Sequence, residues 1–152
     1  MSVPVVPPWL AVALGEIGTL EAPGDADNPR VVEYHSATAA GAAPDGVAWC
    51  SSFMNWCMLQ CGIIGTRNKS ARSWLKWSGG EVLKEPRLGC IMVCWREDPH
   101  AATGHVGLYL GHNKRGYYIL GGNQSNEVNV RLEPTRRVLG FVWPKDREEP
   151  IA

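Results

Sequence analysis

Two residues in this chain can do covalent chemistry as a pair: a cysteine that opens a helix and a histidine that opens a strand. In VAWCSSFMNWC, residues 47–57, Cys50 sits at the first turn of a helix, just after Pro44, Asp45 and Gly46. Unpaired backbone N–H groups and the helix dipole favour an anion there, so the thiol pKa is expected to fall. Cys57 and Cys61 lie deeper on the same face and get no such help. The competing reading for Cys50 is packing, because a lone cysteine on an apolar face is more often a small buried hydrophobe. Asp45 reads as a turn residue.

A nucleophilic thiol needs a base. The four histidines are His35, His100, His105 and His112. His105 opens the strand GHVGLYLG, where His105, Gly107 and Tyr109 share one face and Val106, Leu108 and Leu110 the other. Gly107 is expected to let the cysteine helix approach the sheet. His100 and His112 read as solvated, and His35 lies on a helix that could line a cleft. A base in turn needs an orienter. The next strand ends in GGNQSN, which would bring Asn123 or Gln124 beside His105. A side-chain carbonyl accepting from imidazole holds it in one tautomer.

These residues need elements to position them. Trp9 to Ile17 predicts a helix stopped by Gly18. Asn28 and Pro29 resemble an N-cap and first helical residue, starting a helix over RVVEYHSATA that AGAAPDG breaks. Cys50, Phe53, Met54, Cys57, Met58 and Cys61 follow a helical repeat, with Ser51, Ser52 and Asn55 opposite, so this helix is expected to be amphipathic and to end at Gly62. SARSWLKW predicts a shorter helix closing before Gly79 and Gly80. From Gly89 onward the pattern changes to strands: CIMVCW, HVGLYLG, GYYILGG, EVNVRLE and VLGFVWP, with HNKRG and NQSN as turns. Helices first and strands afterward predict an α+β domain, its N-terminal helices packed on a C-terminal antiparallel sheet of about five strands.

The 152 residues suit one domain, placed at 8–145 with tails at 1–7 and 146–152, and 45% hydrophobic residues suffice for a core. Fifteen basic and fifteen acidic residues leave no surplus that would point to nucleic acid or an anionic membrane. No apolar run is long enough for membrane insertion. MSVPVVPPWL lacks the features of a signal peptide, so synthesis in the cytoplasm is expected. Five cysteines, an odd number, argue against a disulfide framework. Cys57 and Cys61 with Cys90 and Cys94 invite a zinc reading. Helical packing for the first pair, and a shared strand face with Met92 for the second, is the stronger reading.

The stretches WLAVALGEIGTLEAPGDADNP, VAWCSSFMNWC, CGIIGT, ARSWLKW, GHVGLYLG and LGGNQSN resemble the NlpC-type and CHAP-type cysteine peptidases that cut bacterial peptidoglycan. Within that superfamily the chain is most similar to small single-domain wall hydrolases of phages and prophages, which are endolysin-like. The resemblance implies a papain-like fold with Cys50 as nucleophile, His105 as base and Asn123 or Gln124 as third member. It also implies peptidoglycan as partner, action in the periplasm or cell wall, and a holin or secretion system for access. No cofactor is implied. Some CHAP domains bind calcium through a run of aspartates; EAPGDADNP offers only Asp25 and Asp27, so no metal is expected. Tyr34 is the candidate second oxyanion donor beside the Cys50 N–H. Trp49, Trp74 and Trp77 are candidates to line a peptide or sugar groove, with core packing the stronger reading for any one. The same triad would serve an acyltransferase or isopeptidase acting on protein. A third reading is a non-catalytic, tryptophan-rich binding module with core or zinc-binding cysteines.

Overall fold

The structure, a computed structural model, describes residues 5–23, 26–39, 41 and 48–145. Asp25, the breaker segment with Pro44, Asp45 and Gly46, and residues 1–4 and 146–152 of the expected tails lie outside the described residues. Three helices come first: α1 (Pro8–Gly15), α2 (Pro29–Ser36) and α3 (Cys50–Gln60). A 3-10 helix, Ala71–Lys76, comes next. Then come six strands: β1 (Gly80–Leu83), β2 (Ile91–Trp95), β3 (Gly104–Asn113), β4 (Gly116–Gln124), β5 (Glu127–Pro134) and β6 (Val138–Pro144). They form one antiparallel sheet in the order β1-β6-β2-β3-β4-β5. Among the described residues no helix is long and apolar enough to cross a membrane.

Proline at the first helical position starts both α1 and α2, where its missing N–H costs nothing. Asn28 caps α2 as expected, its Oδ1 accepting from the Arg30 N–H at 2.8 Å. Both helices are shorter than their sequence pattern. α1 stops at Gly15 and the chain turns over residues 16–18, with Gly18 at φ 99°. α2 stops at Ser36, where the Thr38 hydroxyl donates to the His35 carbonyl at 2.7 Å and takes one of its terminal acceptors.

The expected amphipathic character of α3 is not found: Cys50 through Met58 are all buried. Its polar side is an interior contact rather than a solvent face. Ser52 Oγ is hydrogen-bonded to His35 Nδ1 at 2.7 Å. Ser51 Oγ donates to the Asn68 carbonyl at 2.6 Å and accepts from Trp74 Nε1 at 2.9 Å. Asn55 accepts from the Arg67 N–H at 2.7 Å. Ser51, Ser52 and Asn55 thus each find a partner, which is the condition for putting them inside. His35 is accordingly a buried partner of α3 and not a cleft residue.

The strands expected from the sequence all form. The sixth, β1, arises from the short stretch after the glycine pair, where Gly80 to Leu83 pair with Phe141 to Pro144 at the sheet edge. The helix-facing glycine is also not the expected one. A Cβ on Gly107 would strike Ile119 and the Leu120 carbonyl of the neighbouring strand. It is Gly122 that lies under α3, where a Cβ would fall 2.7 Å from the Trp49 ring and 2.9 Å from Phe53 Cβ.

Gly122→Ala is therefore expected to lower stability by about 1–3 kcal/mol, read as a lower urea midpoint at unchanged slope. Gly15→Ala, with nothing within 4 Å of the added carbon, is expected to stay within about 0.5 kcal/mol of wild type. Equal effects at the two positions would refute the close-approach account.

Candidate active site

Cys50 is the first residue of α3, and Trp49 is its N-cap. Trp49 Nε1 donates to Glu21 Oε1 at 3.0 Å and its ring stacks on Tyr34, which sets how the chain enters the helix. The Cys50 sulfur lies against the Val106 N–H of β3 and the N–H groups of Cys50 and Ser51. α3 thus delivers its sulfur to the residue beside His105.

His105 is buried, and its Nε2 lies 2.7 Å from Gln124 Oε1. The roles in that bond are determined. Gln124 Nε2 donates to the Asn129 carbonyl at 2.8 Å and to Asn129 Oδ1 at 2.9 Å. Asn129 Nδ2 donates to the Gln124 carbonyl at 3.0 Å and to Glu127 Oε1 at 2.7 Å. Backbone carbonyls only accept, so both amide orientations are fixed, and Gln124 Oε1 must accept from His105 Nε2–H. The remaining ring nitrogen, Nδ1, then carries the lone pair. Of the two amide residues left open by the sequence, the structure joins Gln124 to His105 and not Asn123. Asn123 stands at φ 57°, inside the β4–β5 register shift between Gly121 and Gln124.

The expected electrostatics of the pair are reversed. Burial pushes the Cys50 thiol pKa up, against the Val106 N–H, the Arg96 charge and the helix-end N–H groups, which pull it down. Burial, then Arg96, lowers His105 to about 3, against the bond to Gln124, which raises it. No hydrogen bond joins Cys50 to His105. The site therefore holds a neutral thiol and a neutral imidazole, not the thiolate–imidazolium pair expected from the helix end alone. Catalytic contacts are often long before substrate arrives.

The other cysteines are inert by comparison. Burial raises Cys57 well above the usual thiol value, Cys90 to about 11 and Cys94 to about 12. All five are free thiols. Among the described residues no three His, Cys, Asp or Glu side chains gather as metal ligands, so the four-cysteine zinc arrangement does not form.

The expected substrate-binding residues are core instead. Tyr34 is fully buried, and its hydroxyl donates to Glu16 Oε1 at 2.7 Å, which commits it away from any oxyanion. Trp49 and Trp74 are fully buried with their indole N–H groups on Glu21 and Ser51. Trp77 borders an open groove of about 730 Å³ shared with Asn68, Ser70, Arg72 and Lys76. Arg72 ties that groove to the loop before β3, donating to the carbonyls of Asp98, Pro99 and Thr103. His100 and His112 are exposed as expected.

A family model for the CHAP domain matches residues 42–123, which include both Cys50 and His105. The chain belongs to the CHAP domain family. Among solved structures, this CHAP domain is similar to RipD from Mycobacterium tuberculosis, with a TM-score of 0.52 and 18% identity over 89% of this chain and 92% of that one. RipD is described as a non-catalytic NlpC/p60 domain protein adapted to peptidoglycan binding. The likeness shows a shared NlpC/p60-type fold. A search of curated proteins finds no match.

The depressed histidine has a consequence for stability. With a folded pKa of about 3 against an unfolded value near 6.5, the unfolded chain binds more protons between those limits. The histidine's contribution is present above pH 6.5 and is lost as pH falls toward 3. His105→Gln is expected to flatten the fall in unfolding free energy between pH 6.5 and 5 by up to about 1.4 kcal/mol per pH unit. Urea titrations at the two pH values check this, and an unchanged slope would contradict a neutral buried His105.

Proposed function

We propose that this CHAP domain is a cysteine hydrolase that cleaves an amide bond in the stem or cross-link peptide of peptidoglycan. The observation that supports it most is the ordered chain Glu127–Asn129–Gln124–His105, which ends in a bare Nδ1 on the residue next to the one whose N–H meets the Cys50 sulfur. In the reaction, His105 Nδ1 takes the proton of the Cys50 thiol as sulfur attacks the carbonyl carbon. The Cys50 N–H supports the developing oxyanion, and Gln124 Oε1 supports the imidazolium. The imidazolium then protonates the leaving amine as the C–N bond breaks, leaving a thioester. Water activated by His105 hydrolyses that thioester and restores the thiol. Action on the wall, reached through a holin or a secretion system, belongs to the same proposal.

A second reading is a peptidoglycan-binding module without turnover. The neutral, unjoined thiol and imidazole favour it, as does the description of RipD.

Digestion of purified peptidoglycan separates the two. Wild type and Cys57→Ala are expected to release soluble fragments whose masses name the bond, and Cys50→Ala is expected to release none. Gln124→Ala should slow release by about 10–100-fold, while Asn123→Ala stays within about twofold. Binding to the insoluble wall with no release by wild type would establish the second reading. Full activity in Cys50→Ala would refute the thiol mechanism.

A further inference from the structure

One end of the sheet carries more positive charge than the proposed chemistry uses. Cys94 pairs with His105 across β2 and β3, and with Val138 across β2 and β6. Arg96, two residues beyond Cys94, and Arg137, one residue before Val138, therefore sit at the same end of the sheet as His105. The Arg96 carbonyl accepts from Thr103 Oγ1 at 3.0 Å, which holds it on the turn leading into β3. The Arg96 charge acts on both Cys50 and His105, and it feels Arg131, Arg137 and Glu133 in turn.

The carboxylate that acts most on Arg96 is Glu133. It is buried, and its Oε2 is taken by Arg131 at 3.2 Å. Neither Arg96 nor Arg137 has an ion pair among the described residues. Arg137 lies with its guanidinium 5.4 Å from the Trp95 ring centroid, and its Nε is buried without an acceptor. Three guanidiniums and the buried Glu133 thus act on one another at this end of the sheet, while Glu97 and Asp98, next to Arg96 in the chain, are exposed and form no ion pair with it among the described residues. Guanidinium groups held half-buried without counter-ions are desolvated at a cost that an arriving anion would offset.

We propose that Arg96, with Arg137 beside it, forms a carboxylate-binding subsite next to Cys50, and that the substrate is a peptide bearing a free carboxylate close to the bond presented to the thiol. This rests on the reading of Cys50 and His105 as a peptide-amide site and names the chemistry of what enters it. The anions of a peptide are carboxylates, and a planar guanidinium matches one with two parallel N–H···O bonds. A peptide whose carboxylate is masked as a carboxamide loses that charge-assisted pairing and leaves Arg96 desolvated and unmatched.

The test is calorimetric binding to full-length Cys50→Ala protein, which cannot turn over through the thiol. The two probes are a stem tetrapeptide whose glutamyl residue keeps its free α-carboxylate and the same peptide with that group as the carboxamide. The free acid is expected to bind about tenfold more tightly. Adding Arg96→Gln should abolish the difference, while Arg96→Lys restores part of it, with circular dichroism confirming that all variants fold. Equal affinity for the two peptides, no binding of either, or discrimination that survives Arg96→Gln would each overturn the subsite. Hydrolysis of both peptides by wild type, measured separately, tests the cysteine mechanism: cleavage without discrimination rejects the subsite alone, and discrimination without cleavage rejects the hydrolase reading alone.

Discussion

The hydrogen bond from His105 Nε2 to Gln124 Oε1 is the constraint around which this site is built. Both partners are buried, so leaving either unsatisfied would carry a full desolvation cost. The bond holds only if Gln124 presents its carbonyl, and that needs Asn129 to occupy its amide group. Asn129 is one strand over, so the requirement becomes one of β-hairpin register. Ser125 and Asn126 make the two-residue turn between β4 and β5, both at positive φ, the conformation that matches the natural twist of paired strands. A slip of one residue would turn Asn129 to the other face and release Gln124. Hairpin geometry thus decides which histidine nitrogen carries a proton.

The second half of the site depends on how closely α3 approaches the sheet. Gly122 lets Trp49 and Phe53 settle onto β4, and Trp49 is anchored by Glu21 and Tyr34. The same packing that places Cys50 removes it from water. A helix end favours a thiolate, yet burial outweighs that preference and the thiol pKa rises. Position and reactivity are therefore opposed in this site. A helix with an exposed polar side would leave its first turn solvated; α3 is buried on every side from Cys50 to Met58, where its serines and asparagine bond inward to α2, to the chain after the helix and to Trp74.

Much of this was legible in the sequence, and the gaps have physical causes. Periodicity located the helices and five strands, and the order of Cys50, His105 and an amide residue on the next strand marked the site. It did not separate Asn123 from Gln124, because counting alternate residues fails where a bulge inserts an extra residue and rotates the rest of the strand. Residue type alone suggested that Ser51, Ser52 and Asn55 face water, since partners such as Asn68 and Trp74 lie in later segments whose docking no local pattern encodes. β1 was missed because four half-exposed residues carry too little pattern, and it exists through pairing with β6, more than fifty residues later. The meeting of Arg96, Arg131 and Arg137 is likewise non-local: it depends on the chain passing from β5 at one edge to β6 beside β2.

In the proposed mechanism His105 becomes cationic, and the Arg96 charge opposes this by lowering the His105 pKa. The same charge also lowers the Cys50 pKa. Moving a proton from the thiol to the imidazole creates one anion and one cation and leaves the net charge unchanged, so the two effects of Arg96 largely cancel. The cost of forming such a pair is set instead by desolvation of both groups and by their separation. Arg96 would therefore cost that transfer little. Its charge would act in full on a group whose charge does not cancel, such as the peptide carboxylate proposed to bind there.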